Sequence, residues 1–167
     1  MSDPYKVVLL GESGVGKTCI IAQFIRKTIS FEDNKSITFD IWDTAGQEKY
    51  RSMAKIFYKD AKAVILVYDI TNKKSFEEMR DFWYEQVKQN GDSDVIIAIA
   101  GNKRDLYEEK QVSDEEGEEF AKKVKGIFAS TSAKNDSGIQ ALFDNIAQKI
   151  INPNFDFIAN EEKKRRI

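Results

Sequence analysis

A glycine-rich segment between a predicted strand and a predicted helix constrains this chain more than any other feature. The segment Gly11-Glu-Ser-Gly-Val-Gly-Lys-Thr18 directly follows the largely apolar run Tyr5–Leu10. Glycines allow backbone N–H groups to converge on phosphate oxygens, and the start of the following helix adds its positive end. We therefore predict a phosphate-binding loop, in which Lys17 reaches the β- and γ-phosphates and Thr18 is a ligand of Mg²⁺. A glycine-rich turn without a ligand is the alternative, but it gives Lys-Thr no packing reason to be there.

The rest of the chain alternates strand-like with helix-like segments. Apolar runs that suit strands buried on both faces of a parallel sheet lie at 5–10, 63–70, 95–100 and, more weakly, 126–131. The segment 36–42 alternates apolar with polar residues and follows 32–35, a plausible hairpin turn. Capping boxes predict helix starts at Ser75, Ser113 and Ser137. Strands that alternate with helices predict an α/β fold, with helices on both faces of the sheet.

A second motif, Asp43-Thr-Ala-Gly-Gln47, follows the predicted strand 36–42. The Asp43 carboxylate can hold Mg²⁺, commonly through water. Gly46 can donate a backbone N–H to a γ-phosphate, and Gln47 can orient the attacking water. The segment alone could be an aspartate-capped turn, but a phosphate loop earlier in the chain favours the first interpretation.

A third motif, Asn102-Lys-Arg-Asp105, follows the predicted strand 95–100. Ligands of open α/β sheets bind at this carboxyl end of the strands. Asp105 can accept guanine N1–H and N2–H₂, which adenine does not present in this arrangement. Asn102 can contact the base and tie loops together, and the Lys103 stem can cover one face of the ring. Alone, the tetrapeptide is more typical of a solvated turn.

A fourth motif, Ser132-Ala-Lys134, also follows a strand-like run, and the Ala133 N–H can meet guanine O6. The order and spacing of all four motifs predict a guanine-nucleotide switch. The predicted nucleotide contacts are Ser13, Gly14, Val15, Gly16, Lys17, Thr18, Cys19, Gly46, Asn102, Lys103, Asp105, Ser132, Ala133 and Lys134. The predicted Mg²⁺ ligands are Thr18 and Asp43, and the predicted catalytic residue is Gln47.

The composition excludes several other kinds of protein. The 167 residues include no histidine, which excludes imidazole-based catalysis and histidine-ligated metal sites. The single cysteine excludes an internal disulfide and suits the reducing cytosol. A net charge of −2 gives no reason to expect nucleic acid as a partner. We find no long apolar run or signal peptide, and expect one domain over 1–152 and the start of a tail over 153–167.

These motifs resemble those of the small GTPases of the Ras superfamily. Trp42-Asp-Thr-Ala-Gly-Gln-Glu-Lys-Tyr-Arg51, with Val67-Tyr-Asp-Ile-Thr71, looks like the Rab family of vesicle-traffic regulators. Gly11-Glu-Ser and Ala100-Gly-Asn-Lys103 resemble its endosomal branch. The resemblance covers roughly 5–151 and implies a three-layer P-loop NTPase fold with a six-stranded, mostly parallel sheet. It also implies a GTP/GDP cycle with Mg²⁺.

The resemblance implies partners and a location as well. Effectors that bind the GTP state, an exchange factor, a GTPase-activating protein and a lipid-extracting chaperone are expected, and the protein itself is expected to be a monomer. Rabs are held on the cytoplasmic face of intracellular membranes by a prenylated C-terminus, which this chain does not include. Trp42 and Phe57 match two positions of the aromatic triad that Rabs use to meet effectors, although plain core packing would also explain them. The basic cluster 163–166 could assist membrane approach or simply end a solvated helix.

The chain departs from the Rab pattern after its first helix. Arg26 is followed at once by Lys27-Thr-Ile-Ser-Phe31, which resembles the second strand, so that roughly twenty residues of a normal Rab have no counterpart. A helix of about 11 residues leads ~16 Å away from the phosphates, and returning needs at least ~5 extended residues. We therefore expect the chain to be discontinuous here, with a disordered switch loop left out of the sequence. A real deletion would leave a nucleotide-binding scaffold that does not hydrolyse GTP. A P-loop kinase that uses ATP is disfavoured, because the two motifs that suit guanine would then have no function.

Overall fold

Strands of strongly apolar sequence form the centre of the fold. The computed structural model describes residues 3–24, 36–45 and 47–166. Within these residues, five parallel strands pair in the order β2-β1-β3-β4-β5. The strands are β1 (Tyr5–Leu10), β2 (Phe39–Asp43), β3 (Ala63–Asp69), β4 (Ile96–Asn102) and β5 (Ile127–Ser130). The predicted α/β fold class is confirmed.

The helices cover both faces of this sheet. They are α1 (Lys17–Phe24), α2 (Ala54–Tyr58), α3 (Lys73–Glu78), α4 (Tyr84–Asn90), α5 (Asp114–Lys123), α6 (Ile139–Ile151) and α7 (Phe157–Arg165). A π-helical turn, Met79–Trp83, joins α3 to α4, and 3₁₀ helices form at Glu48–Met53 and Arg104–Glu109. In the described part of the chain, no helix is long and apolar enough to cross a membrane.

Alternate residues of β1 point into two separate apolar layers. Val7 and Leu9 pack with residues of α1 and α6 on one face, whereas Val8 and Leu10 pack with residues of α2 to α5 on the other. All seven residues of β3 are buried. Burial on both faces explains why the strands read as continuous apolar runs. The result is the predicted arrangement of helix, sheet and helix layers.

The strand predictions differ from the structure at β2 and at the sixth strand. The predicted strand 36–42 is shifted, since β2 runs from Phe39 to Asp43. Five of the six expected strands lie within the described residues. The segment 27–31, expected as the sixth, lies outside them, as do the 32–35 turn and the expected break between Arg26 and Lys27.

One of the three predicted capping boxes is confirmed. Ser113 caps α5 with both reciprocal hydrogen bonds. The start predicted at Ser75 is wrong, because Asn72 is the N-cap of α3 and its side chain accepts from the Ser75 N–H at 3.2 Å. The start predicted at Ser137 is also wrong: its backbone pairs with that of Ser132 in the same loop, and Gly138 precedes α6 with a φ of +76°.

The segment predicted to be a tail contains α7. Asp156 is the N-cap of this helix, and Phe157 packs against the core layer that α6 also contacts. At the other end, Arg165 donates to Glu118 of α5 at 2.8 Å. Side-chain contacts therefore dock α7 on the body of the protein.

Candidate functional site

All four motifs meet at one edge of the sheet. Because the strands are parallel, the loops that follow β1, β2, β4 and β5 leave from the same side. These loops begin at Gly11, Thr44, Lys103 and Thr131. The carboxyl edge of such a sheet is where α/β proteins bind ligands.

The predicted phosphate loop connects β1 to α1. Gly14 and Gly16 have φ values of +79° and +102°, which side-chain-bearing residues rarely adopt. A Cβ atom at Gly16 would come within 2.2 Å of Asn102 Nδ2, whereas one at Gly14 would meet nothing within 4 Å. Gly16 is therefore needed for close packing as well as for its backbone conformation. Ser13 is exposed at the outer side of the loop.

Lys17 is buried beneath this loop, and its ammonium group has three partners. Nζ donates to the carbonyl oxygens of Gly11 and Glu12, both at 2.8 Å. It also donates to Glu48 Oε1 at 2.7 Å, in an ion pair whose side chains are 2% and 11% exposed. The loop carbonyls hold the ammonium in place, and a phosphate oxygen would compete with Glu48 for it.

Thr18 and Asp43, the predicted Mg²⁺ ligands, are in direct contact. Thr18 Oγ1 donates to Asp43 Oδ2 at 2.7 Å, and Asp43 Oδ1 accepts from the Ala45 N–H at 3.0 Å. Among the described residues, no group of three or more His, Cys, Asp and Glu side chains could hold a metal ion. A hydroxyl and a carboxylate fit Mg²⁺, which binds few protein ligands and takes the rest from water and phosphate oxygens.

Of the other two predicted site residues in the second motif, the structure describes Gln47 but not Gly46. Gln47 has an exposed side chain directly before the 3₁₀ helix Glu48–Met53, and its backbone N–H donates to Thr44 O at 3.0 Å. Thr44 Oγ1 in turn donates to Leu9 O at 2.6 Å, which fixes this turn to β1. Gly46 lies outside the described residues.

Asn102 joins three of the loops. Its side chain is 2% exposed, and its Nδ2 donates to the Val15 carbonyl at 2.9 Å. Its Oδ1 accepts from Thr131 Oγ1 at 3.0 Å. The prediction that Asn102 ties loops together matches these contacts: the phosphate loop and the loop after β5 are both held to the end of β4.

Three more residues of the third and fourth motifs have partners at this edge. Ser132 Oγ donates to Asp105 Oδ1 at 2.7 Å, and Ser132 Oγ accepts from the Asn135 N–H at 3.1 Å. Lys103 adopts a left-handed backbone conformation, with φ +67°, and its Nζ lies 2.9 Å from Asp69 Oδ2. These contacts set the direction of the Asp105 carboxylate and of the Lys103 stem.

A cavity of about 540 Å³ lies between these loops and α1. Its lining includes predicted contact residues from three motifs: Gly16, Cys19, Asn102, Lys103, Asp105, Ala133 and Lys134. Gln23 of α1 also lines it and donates from Nε2 to Ala133 O at 2.7 Å. The volume is in the range of small-ligand sites, and its few polar groups suit a flat ring with polar edges.

Sequence reasoning missed several side chains at this edge. Glu12 accepts hydrogen bonds from Arg51 and from Trp83, and Glu48 pairs with Lys17. The one signal in the sequence is that Glu12 is a charged residue inside a glycine-rich loop. Its partners come from distant segments, and no local pattern marks them.

Trp42 and Phe57, each expected either to meet effectors or to pack in the core, differ in their exposure. Trp42 is 39% exposed, and its ring has Lys6 Nζ 4.0 Å from its centroid. Phe57 is half-buried against the core layer that contains α2 to α5. The exposure of Trp42 disfavours plain core packing, whereas Phe57 is compatible with it.

A parallel sheet with a glycine-rich loop between β1 and α1 defines the P-loop NTPase class. The model of the Ras family matches residues 6–152 of the chain. The human Ras-related protein Rab-22A is 37% identical over 162 residues, covering 87% of this chain and 82% of that protein. RabC of Dictyostelium discoideum is 36% identical over 164 residues, with 87% and 83% covered. The chain therefore belongs to the Ras family of small GTPases and, within it, to the Rab proteins.

The comparison with human Rab-22A also shows that the two proteins differ by insertions or deletions. An alignment over 162 residues that covers only 87% of a 167-residue chain contains gaps in this chain. Part of the relative therefore has no counterpart in this chain.

Proposed function

We propose that this chain binds GTP and GDP at the carboxyl edge of its sheet and switches between the two states. The observation that carries the proposal is the buried Asn102 side chain, which holds the phosphate loop and the loop after β5 around one cavity. The phosphates would lie over the backbone of 13–18, and Lys17 would exchange Glu48 for phosphate oxygens. The base would lie in the cavity, where Asp105 reads the guanine edge and Lys103 covers a ring face.

We assign hydrolysis to a water that Gln47 orients. Thr18 and Asp43 would hold Mg²⁺, which neutralises charge on the phosphates when bound. Lys17 and backbone N–H groups would stabilise the charge that develops on the γ-phosphate. We expect no arginine finger within this chain, so unaided turnover should be slow, on the order of 10⁻⁴ to 10⁻³ s⁻¹ by analogy with Ras-type enzymes.

We further infer a role in membrane traffic. The relatives are Rab proteins, and the resemblance to the endosomal branch supports a location on the cytoplasmic face of endosomal membranes. Effectors, an exchange factor, a GTPase-activating protein and a lipid-extracting chaperone would be the partners. The exposed Trp42 would belong to the effector surface. The nucleotide-binding domain would extend over 1–152, with α7 at the start of the tail.

A second candidate is a guanine-nucleotide scaffold that does not hydrolyse GTP. The observation that favours it is in the sequence, where Arg26 is followed at once by the strand-like segment 27–31. A Rab without its first switch loop would lack the threonine that caps Mg²⁺. The two candidates share the binding site and differ only in the fate of the γ-phosphate.

Replacement of Asp105 by asparagine tests the assignment of the base site. An amide cannot accept both guanine N–H groups, so the preference for GTP over xanthosine triphosphate should fall by about tenfold or more, in line with the specificity of paired hydrogen bonds. Competition against a fluorescent GDP analogue measures this preference. Asp136→Asn, on the same edge but outside the cavity lining, is the control. An unchanged preference in Asp105→Asn would refute the assignment.

A further inference from the structure

Arg51 bridges two carboxylates that belong to different parts of the fold. It lies on the 3₁₀ helix Glu48–Met53, and its guanidinium donates to Glu12 Oε1 in the phosphate loop. It also donates to Glu78 Oε2, the last residue of α3, at 2.9 Å. The guanidinium carbon lies 4.4 Å from the centroid of the Phe82 ring. One planar group thus joins three segments of the chain.

Glu12 is the point at which these contacts meet the phosphate loop. Its Oε1 accepts a second hydrogen bond, from Trp83 Nε1, at 3.0 Å. Its backbone carbonyl accepts from Lys17 Nζ at 2.8 Å. The Glu12 side chain is 26% exposed and that of Arg51 is 37% exposed, so the pair is partly withdrawn from water. Charge-assisted hydrogen bonds in such a setting are stronger and more directional than neutral ones.

Two contacts hold the segment that follows Gln47 to the phosphate loop. Arg51, three residues after Glu48, bonds to Glu12, and Glu48 itself bonds to Lys17. The second contact would be lost when Lys17 exchanges Glu48 for phosphate oxygens, which leaves the first. Gln47 directly precedes this 3₁₀ helix, whose rise of about 2 Å per residue puts it only about 8 Å from Arg51 along the axis. The position of Gln47 therefore depends on how this short helix is held.

We propose that Arg51 is a positioning residue for GTP hydrolysis, which holds the segment beginning at Gln47 against the phosphate loop through Glu12. This proposal rests on the proposed function. Arg51 acts on the geometry of Gln47 and is not among the described residues that line the cavity. A misplacement of about 1 Å at a reacting group can slow a reaction by about a hundredfold. Loss of the bridge should therefore slow hydrolysis much more than it weakens nucleotide binding.

The chemistry of the bridge requires arginine. A guanidinium donates in two directions in one plane while its face stacks on an aromatic ring, whereas a lysine ammonium is a point charge. The π-helical turn Met79–Trp83 supplies both the stacked Phe82 and the indole donor of Trp83. Lysine at this position would keep the charge but could not reproduce all of these contacts.

The test compares Arg51→Ala and Arg51→Lys with Arg80→Ala. Arg80 is a matched control, because its guanidinium, among the described residues, donates hydrogen bonds to its own neighbour Asp81 at 2.7 and 3.0 Å. Single-turnover GTP hydrolysis should slow about ten- to a hundredfold in Arg51→Ala and about fivefold or more in Arg51→Lys. The Arg80→Ala variant should stay within about twofold of the unmodified chain, as expected for a surface pair. Release of a fluorescent GDP analogue should change by less than about threefold in all three variants.

Trp83 gives a readout that does not depend on hydrolysis. The chain contains two tryptophans, so Trp42→Phe leaves Trp83 as the sole indole emitter. In this background, Arg51→Ala should shift the Trp83 emission, because the Glu12 carboxylate that accepts from the indole loses its bond to Arg51. Arg80→Ala should leave the emission unchanged.

Three results would overturn the proposal. Equal hydrolysis rates in Arg51→Ala and Arg80→Ala would show that Arg51 does not position Gln47. Full activity in Arg51→Lys would show that charge alone suffices. A parallel loss of hydrolysis, GDP retention and melting temperature in Arg51→Ala would show a merely structural role. An unmodified chain that leaves GTP intact is a distinguishable failure, since it would overturn the proposed function itself and with it the role of Arg51.

Discussion

Replacing Asn102 with alanine should lower the free energy of unfolding by about 2–4 kcal/mol. The side chain donates to the Val15 carbonyl at 2.9 Å and accepts from Thr131 Oγ1 at 3.0 Å, and all three residues are at most 2% exposed. Alanine would leave a buried carbonyl and a buried hydroxyl without these partners. Each unsatisfied group costs about 1–3 kcal/mol. The Thr131 hydroxyl can rotate toward another acceptor, which keeps the sum below the upper limit.

Urea unfolding followed by circular dichroism measures this loss. With a slope of about 1–3 kcal/mol per molar urea, the unfolding midpoint should fall by about 1–2 M. Asn154→Ala is the control, because this asparagine is exposed in the connection between α6 and α7 and should change stability by no more than about 0.5 kcal/mol. A midpoint for Asn102→Ala within about 0.3 M of the unmodified chain would refute the argument that this amide holds the loops together.

Three further predictions test separate parts of the site. Gln47→Leu should slow single-turnover hydrolysis by about tenfold or more and leave GDP affinity unchanged, and an unaltered rate would exclude Gln47 from catalysis. Glu48→Gln should raise GDP affinity by about tenfold, since it removes the carboxylate that competes with phosphate for Lys17, and an equal or lower affinity in titration calorimetry would contradict this competition. Gly16→Ala should destabilise the fold by about 2 kcal/mol more than Gly14→Ala, because both strain the backbone by about 1–2 kcal/mol but only the first clashes with a buried amide. Equal urea midpoints for the two glycine variants would show that the close approach is unimportant.

Local patterns predicted the strands well and the helix starts less well. Strands such as β3 are buried along their whole length, and such strands need apolar residues at every position, so an apolar run predicts them directly. The helix caps were harder to predict, because several residues near a helix start can accept the same N–H groups. Asn72 takes the role expected of Ser75, since it lies three residues earlier and caps the Ser75 N–H itself.

The composition of the site could be predicted, but the contacts between its parts could not. The phosphate loop and the guanine motifs are continuous segments, so their functional residues are adjacent in the sequence and can be recognised there. The Trp83 indole reaches Glu12 from 71 residues away in the sequence, and Glu48 reaches Lys17 from 31 residues away. Such pairs depend on how the π-helical turn Met79–Trp83 and the 3₁₀ helix Glu48–Met53 pack over the loop, which periodicity does not encode.

Single-turnover hydrolysis of GTP by the purified chain tests the central claim most directly. The protein is loaded with radiolabelled GTP and excess Mg²⁺. Samples are taken over several hours, and bound GTP is separated from bound GDP in each. We predict one nucleotide per chain and conversion of GTP to GDP at about 10⁻⁴ to 10⁻³ s⁻¹. Bound GTP that remains intact would contradict the switch and favour the scaffold, and failure to retain any guanine nucleotide would contradict the assignment of the site itself.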